Sequence, residues 1–171
     1  MTVKKIALTG VGIALFVVFT MCLQVPVFEN YYLCLGYLVM MVYCAVVDPV
    51  SGTLTGVLGV ILYCVLTNGL RGMPGWAAGN VVIGLAVGIA YRMLADVKSR
   101  PVKIAILAIV ILVSTAAGIL GVKSLVEHIL YAQPFLVRAA KNMYAFAADV
   151  FVLWLGIPIA EIVKERIGHR I

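Results

Sequence analysis

Six long apolar stretches divide the 171-residue chain and constrain its fold more than any other feature of the sequence. They cover about residues 6–25, 31–47, 50–66, 76–94, 102–121 and 143–163. A helix that crosses a bilayer needs about 20 predominantly apolar residues, and the usual range is about 17–25. The pattern therefore predicts a single all-α integral membrane domain over residues 1–171, built as a bundle of six transmembrane helices.

The composition supports a membrane protein and excludes most soluble classes. Apolar residues make up 64% of the chain and charged residues 12%, and the mean hydropathy is +1.15. Soluble domains average about 45–50% apolar and about 25% charged residues. An ordinary soluble enzyme, a disordered regulator and a nucleic-acid-binding domain are therefore excluded. The net charge of +6 is interpreted as an orientation signal in the bilayer.

The distribution of Lys and Arg predicts the orientation of the helices. With six spans, both termini lie on one side, together with the turns after the second and fourth helices. That side carries nine of the 13 Lys and Arg residues, and the other side carries Arg71, Lys123, Arg138 and Lys141. The positive-inside rule then places both termini in the cytoplasm.

The stretch of residues 122–142 is too polar to span a membrane and too apolar for a free linker. A loop of this length within a compact domain is uncommon and often functional. We therefore expect a long outer connection between the fifth and sixth helices. A short helix over about residues 125–131 should lie across one mouth of the bundle.

The sixth predicted helix carries two polar side chains on one face, because Asn142 and Asp149 are seven residues apart. A carboxylate inside a bilayer is costly unless it faces a partner or a wet cavity. Two interpretations of Asp149 stay open. It forms an internal pair with Lys123 or Arg138, or it contacts a ligand.

The fourth predicted helix carries Trp76, Asn80, Gly84 and Gly88 at a spacing of four, so they share a face. Trp76 alone is typical of an aromatic anchor at the membrane interface. An amide buried in a membrane needs hydrogen-bond partners, which makes Asn80 a stronger candidate for a functional contact.

The outer connections add rings, donors and cations, among them Tyr32, Arg71 and His128. A cationic mouth would attract an anionic or zwitterionic small molecule, although solvation and contact with lipid headgroups are alternatives. Glu127 and His128 are adjacent rather than one helical turn apart, so no metal site is predicted.

One face of the first helix is formed by small residues, Ala7, Gly10 and Ala14. In lipid, small residues spaced by about one turn let helix backbones approach closely. The face serves either packing within this bundle or docking of another membrane subunit.

Motifs for chemistry are missing from the sequence. It contains no G-x-x-x-x-G-K-[ST], no H-E-x-x-H and no G-x-S-x-G. The four cysteines lie in apolar runs without a C-x-x-C pair, which is typical of buried free thiols. We expect no enzymatic activity, no cofactor and no metal site.

Three motifs together resemble a known family. Residues 4–8 (KKIAL) lead into the face of Gly10 and Ala14, in the place of an A-x-x-x-A motif whose first Ala is here Gly. Residues 35–38 (LGYL) precede residues 48–52 (DPVSG), a Pro-x-x-Gly turn in which Asp48 replaces the usual Gly. Residues 72–76 (GMPGW) open the glycine-bearing fourth helix. Over nearly its whole length the chain resembles the substrate-binding S component of an energy-coupling factor (ECF) transporter.

This resemblance implies a role in the plasma membrane of a prokaryote. S components bind a vitamin or a related precursor from outside and associate with a membrane T component and two cytosolic ATPase subunits, which supply ATP hydrolysis. The expected pocket lies between helices four, five and six near the outer face. Its expected residues are Trp76, Asn80, Lys123, Asn142 and Asp149, with Tyr32, Arg71 and His128 at the mouth, while Ala7, Gly10 and Ala14 would dock the T component.

The substrate stays open at this point. The cationic outer connections favour an acid such as pantothenate, and riboflavin, a pyridoxine-like compound, a thiamine-precursor pyrimidine and a queuosine precursor are alternatives. A different class of function is a small structural or interaction membrane protein without a transported ligand, in which Asp149 pairs internally and no outer cavity exists. A membrane enzyme is a third and weaker alternative, because no nucleophile–base pair can be placed.

Overall fold

Helices form most of the structure, which is a computed structural model that describes residues 2–22, 25–28 and 31–167. The elements in chain order are α1 (Val3–Cys22), β1 (Val25–Phe28), β2 (Tyr31–Leu33), α2 (Gly36–Val46), α3 (Pro49–Leu66), α4 (Met73–Met93), α5 (Arg100–Thr115), a π-helical segment (Ala116–Lys123), α6 (Ser124–Tyr131) and α7 (Phe135–Ile167). The predicted helical bundle is therefore present, with a short two-stranded sheet that was not predicted.

Five helices among the described residues are long and apolar enough to cross a membrane. They are α1, α3, α4, the continuous helix Arg100–Tyr131, and α7. Helix α2 has 11 residues and is about 17 Å long, which is less than the roughly 30 Å of a hydrocarbon core. Most of its residues are buried, and Tyr37, Met40 and Met41 are fully enclosed. Helix α2 thus lies at the centre of the bundle, and a count of six spans stays a prediction.

The second predicted span begins too early. Residues 31–33 form β2, which pairs antiparallel with β1 in a register that places Val25 opposite Leu33 and Pro26 opposite Tyr32. Valine and aromatic residues favour extended backbone, and short apolar runs do not reveal from periodicity whether they form a strand or a helix. The helix that follows begins at Gly36.

The long outer connection between the last two spans was also predicted wrongly. The helix that begins at Arg100 continues through the π-helical segment and α6 to Tyr131, and α7 already begins at Phe135. Only residues 132–134 join them, with Ala132 in the left-handed conformation at φ 51°. The polar residues of this stretch bond to one another, as described below, so they can form helices rather than a loop. The short helix expected over 125–131 is α6, which continues α5.

Glycines let three helices pack closely. A Cβ atom at Gly52 would lie 2.6 Å from the backbone nitrogen of Cys44, and one at Gly88 would lie 2.6 Å from Cα of Pro49. Small residues at helix contacts allow this approach in membranes. The contacts fix α2, α3 and α4 as one packed unit.

The turn between α2 and α3 is held by Asp48. Its carboxylate accepts a hydrogen bond from the Ser51 N–H at 2.7 Å and forms an ion pair with Lys5 at 2.9 Å, which is the expected role of an Asp at a helix N-cap. Partial burial raises the pKa of Asp48, but the Ser51 N–H and the Lys5 ammonium outweigh it and hold the pKa below its usual value. The start of α1 is thereby tied to the start of α3.

Candidate ligand-binding pocket

A cavity of about 510 Å³ lies at the end of the bundle where α1 and α3 finish and α4 begins. Small-molecule sites usually measure about 300–1,000 Å³. Residues from α1, α3, α4, the π-helical segment and α7 contribute to its walls. The lining is formed by Thr20, Leu33, Cys34, Tyr63, Cys64, Thr67, Gly69, Gly72, Trp76, Lys123, Ala145 and Asp149.

Two aromatic rings form one wall. Tyr63 and Trp76 contact edge to face, with ring centroids 5.8 Å apart and planes inclined by 80°. The indole nitrogen of Trp76 donates to the hydroxyl of Tyr37 at 2.9 Å. That hydroxyl donates to Oδ1 of Asn80 at 2.7 Å, and Nδ2 of Asn80 donates to the Gly56 carbonyl at 3.0 Å. The orientation of the indole is therefore fixed by a chain of hydrogen bonds behind the wall.

Two groups of opposite charge, Lys123 and Asp149, line the same cavity. Asp149 is 5% exposed and comes from α7, and Lys123 ends the π-helical segment. Gly79 and Gly118 set that segment against α4, because a Cβ atom at Gly79 would lie 2.9 Å from the Gly118 carbonyl oxygen. π-helical segments are rare in proteins, and those that occur are often at functional sites. The cavity can offer a carboxylate acceptor and an ammonium donor to one ligand.

Asn142 does not line this cavity and belongs to a buried network between α6 and α7. Its Nδ2 donates to Ser124 Oγ at 2.9 Å and to Glu127 Oε2 at 3.2 Å. The Arg138 guanidinium forms an ion pair with the same Glu127 oxygen at 2.8 Å. Glu127 is 2% exposed, so the network joins the two helices in the interior.

Asn80 is fully buried behind Trp76 and does not line the cavity either. At the surface, the Arg71 guanidinium lies 5.1 Å from the centre of the Tyr131 ring, and the Tyr131 hydroxyl donates to the Arg71 carbonyl. His128 is exposed, and its Nδ1 contacts the Gln133 carbonyl. The side chain of Tyr32 lies outside the described part of the chain. The structure thus brings Trp76, Lys123 and Asp149 together at the cavity.

Nearly the whole chain matches a known protein family. The model of the family "ECF-type riboflavin transporter, S component" matches residues 1–165. The chain belongs to this family. The five apolar helices among the described residues fit a membrane-embedded S component, and the family is one of vitamin transporters rather than of enzymes.

Two curated relatives carry no functional name. This S component is 26% identical over 88 residues to a "UPF0397 protein" of Streptococcus thermophilus (strain ATCC BAA-491 / LMD-9) and to "UPF0397 protein str0306" of strain CNRZ 1066 of that species. Each match covers 52% of this chain and 48% of the relative. The chain therefore spans about half the length of the curated relatives it matches.

Sequence reasoning missed several lining residues of the S component, including Thr20, Tyr63 and Thr67. Thr20 is among the few polar residues of α1, which is the signal that could have identified it.

Cys34 lies between β2 and α2. Burial and the Asp149 carboxylate raise the pKa of the Cys34 thiol to about 12, so this thiol contributes an uncharged surface to the cavity wall. Across residues 2–22, 25–28 and 31–167, no three His, Cys, Asp or Glu side chains converge as a metal site would require.

The face of Ala7, Gly10 and Ala14 is exposed in this S component. A Cβ atom at Gly10 would meet nothing within 4 Å, whereas one at Gly12, on another face of α1, would lie 2.7 Å from the Tyr43 ring. The interpretation of this face as packing within the bundle is therefore wrong. The face is available to a partner helix.

Proposed function

We propose that this S component binds riboflavin in the cavity formed around Trp76, Lys123 and Asp149. The observation that carries the proposal is the convergence of an aromatic wall, a carboxylate and an ammonium on one cavity of about 510 Å³, in a chain matched by a riboflavin-transporter family. Aromatic walls with a few placed polar groups are typical of sites for small heterocycles.

The chemistry of the walls suits a neutral planar ring. The isoalloxazine ring of riboflavin has two carbonyl groups that flank an N–H. Asp149 can accept from that N–H, Lys123 can donate to a carbonyl, and the ring can lie against Trp76. Hydroxyl groups of Thr20 and Thr67 suit the polyhydroxyl chain of the vitamin.

The charge balance of the walls favours riboflavin over pantothenate. One cation and one carboxylate line the cavity, so an anionic ligand gains little net attraction there. The Arg71 guanidinium instead lies near the Tyr131 ring, Arg138 forms an ion pair with Glu127, and neither cation lines the cavity. The expectation that cationic outer connections favour an acid such as pantothenate therefore finds no support in the walls of this cavity.

The remaining parts of the role concern partners and orientation. The exposed small-residue face of α1 would dock the membrane T component, and two cytosolic ATPases would supply the energy. The cavity end would face outward and both termini the cytoplasm, as the distribution of Lys and Arg predicts.

A direct test separates this function from a purely structural role. The chain is purified in detergent without ligand and dialysed to equilibrium against riboflavin, pantothenate or pyridoxine, and bound vitamin is measured by mass spectrometry. The proposal expects saturable binding of riboflavin at one molecule per chain and no saturable binding of the other two. Saturable binding of pantothenate or pyridoxine would assign another substrate, and binding of none would favour the structural role.

A further inference from the structure

A second concave surface lies at the end of the bundle that carries the Lys5–Asp48 ion pair. It is a groove of about 750 Å³ between the start of α1, the α2–α3 turn and the end of α4. Leu85, Ile89 and Arg92 follow one another at helical spacing along α4 and line this groove. Ile89 is 49% exposed, and Val50 on the other wall is 52% exposed. The groove is therefore apolar along its length and cationic at its end.

A smaller cavity of about 240 Å³ adjoins the cationic end. It shares Lys5, Asp48 and Arg92 with the groove and adds Tyr91 and Lys164 to its walls. Three cations thus surround one carboxylate, and that carboxylate is already paired with Lys5 at 2.9 Å. The small cavity has an excess of positive charge.

Two polar side chains of this cavity lack an ion-pair or hydrogen-bond partner among the described residues. The Arg92 guanidinium makes no ion pair or hydrogen bond with any residue that the structure describes. The Tyr91 side chain is 1% exposed, and its buried hydroxyl has no hydrogen-bond partner within the described ranges. Lys164 lies over the Tyr91 ring, 6.0 Å from its centre. Arg92 is exposed and can be solvated, but the buried Tyr91 hydroxyl without a partner is costly, so an external acceptor would stabilise it.

We infer that an anionic phospholipid occupies this composite site, with its phosphate between Arg92 and Lys164 and an acyl chain along Ile89 and Leu85. From Arg92, the groove passes along α4 towards the middle of the helix, which is the direction from a headgroup into the hydrocarbon core. A free phosphate would match the cations and leave the apolar groove unused. In the orientation proposed above, the lipid belongs to the cytoplasmic leaflet, but the site itself does not depend on that orientation or on the vitamin.

The first test uses the purified 171-residue chain, native mass spectrometry, and phosphatidylglycerol and phosphatidylcholine with identical acyl chains. We expect the native chain to retain phosphatidylglycerol in preference to phosphatidylcholine. In the double variant Arg92→Gln/Lys164→Gln, this preference should fall by about fivefold for each cation removed. The matched control Arg100→Gln changes an exposed residue that lines neither cavity, and it should keep the preference. Equal retention of both lipids, or an unchanged preference in the double variant, would overturn the inference.

A second pair of variants tests the groove without changing charge. Ile89→Trp should fill the groove and lower phosphatidylglycerol retention, whereas Ile109→Trp, at a 62% exposed site on α5, should not. Equal retention in these two variants would contradict an acyl-chain site. Inorganic phosphate is the remaining probe, and if it binds as tightly as phosphatidylglycerol, the site is one for a free anion and the lipid assignment is wrong.

Discussion

Trp76 donates its indole N–H to the hydroxyl of Tyr37 at 2.9 Å, and this bond joins the wall of the cavity on α4 to the centre of the bundle on α2. Tyr37 is fully buried, and its hydroxyl donates a hydrogen bond to Oδ1 of Asn80. The indole is therefore held in place before a ligand arrives. A wall that is already ordered loses little conformational entropy on binding, which favours affinity.

The first prediction concerns Tyr37→Phe. The change leaves the partly buried Trp76 Nε1 and the fully buried Asn80 Oδ1 without their partner, and an unpaired buried group costs about 1–3 kcal/mol. We expect a lower thermal midpoint and riboflavin affinity reduced about tenfold, measured by calorimetric titration. Tyr43→Phe is the control, because Tyr43 is also on α2 but does not line the cavity. An unchanged affinity in Tyr37→Phe would show that the indole needs no such support.

The second prediction concerns Asp149→Asn, which keeps the shape of the side chain and removes its charge. A hydrogen bond to a charged group contributes about 1.5–3 kcal/mol, so riboflavin affinity should fall by about tenfold or more. Asp96→Asn changes an exposed carboxylate in the turn after α4 and should bind as the native chain does. Equal dissociation constants for the two variants would remove Asp149 from the site.

The third prediction concerns the pair of the buried Glu127 and the partly buried Arg138. Removal of the Glu127 charge leaves the Arg138 guanidinium, which is 22% exposed, without its partner, and the loss of one partner from a fully buried pair costs about 3–5 kcal/mol. Glu127→Gln should therefore lower the thermal midpoint of the ligand-free chain strongly, whereas Glu165→Gln, at an exposed site of α7, should not. The double variant Glu127→Leu/Arg138→Leu should recover much of the loss, because it leaves no single charge buried. Equal midpoints in Glu127→Gln and the native chain would contradict a stabilising network.

The fourth prediction compares two glycines. Gly88→Ala places a Cβ atom 2.6 Å from the Pro49 backbone, so α3 and α4 must separate and the thermal midpoint should fall. Gly10→Ala meets nothing within 4 Å and gains helix propensity, so the isolated chain should be as stable or slightly more stable. Equal unfolding temperatures for the two variants would contradict the close contact of α4 with Pro49.

The fifth prediction concerns the proposed docking face. Ala14→Leu adds bulk to an exposed face of α1 and should impair association with the T component, measured by co-purification of the complex, while riboflavin binding by the isolated chain stays unchanged. Ala105→Leu adds the same bulk to an exposed face of α5 and should leave association intact. Co-purification of an intact complex with Ala14→Leu would mean that the T component docks elsewhere.

Local chemistry made part of the fold predictable. Helix α3 runs over Pro49–Leu66, within one residue of the expected 50–66, because an Asp N-cap and a Pro in the first turn mark its start. The extension of the helices across residues 122–142 was not predictable in the same way. Glu127, Arg138 and Asn142 satisfy one another, and such pairings across helices are not visible in sequence spacing.

The site shows the same limit. Its charge and depth in a predicted span identified Asp149, and Lys123 of the outer stretch was predicted as a partner for it. Both line the cavity. Helical spacing also placed Asn80 on the face of Trp76, and Asn142 on the face of Asp149. Spacing does not show what lies opposite a residue, however, and both amides bond to neighbours inside the protein.

The most direct test of the central claim uses Trp76 as its own reporter. The chain has two tryptophans, and Trp154 is 43% exposed on α7, outside the cavity, so Trp154→Phe leaves Trp76 as the sole indole. Titration of this variant with riboflavin should quench its fluorescence saturably at one ligand per chain, and addition of Asp149→Asn should move the midpoint to higher riboflavin concentration. Quenching without saturation, or with the same midpoint after the Asp149 change, would contradict a riboflavin site at this cavity.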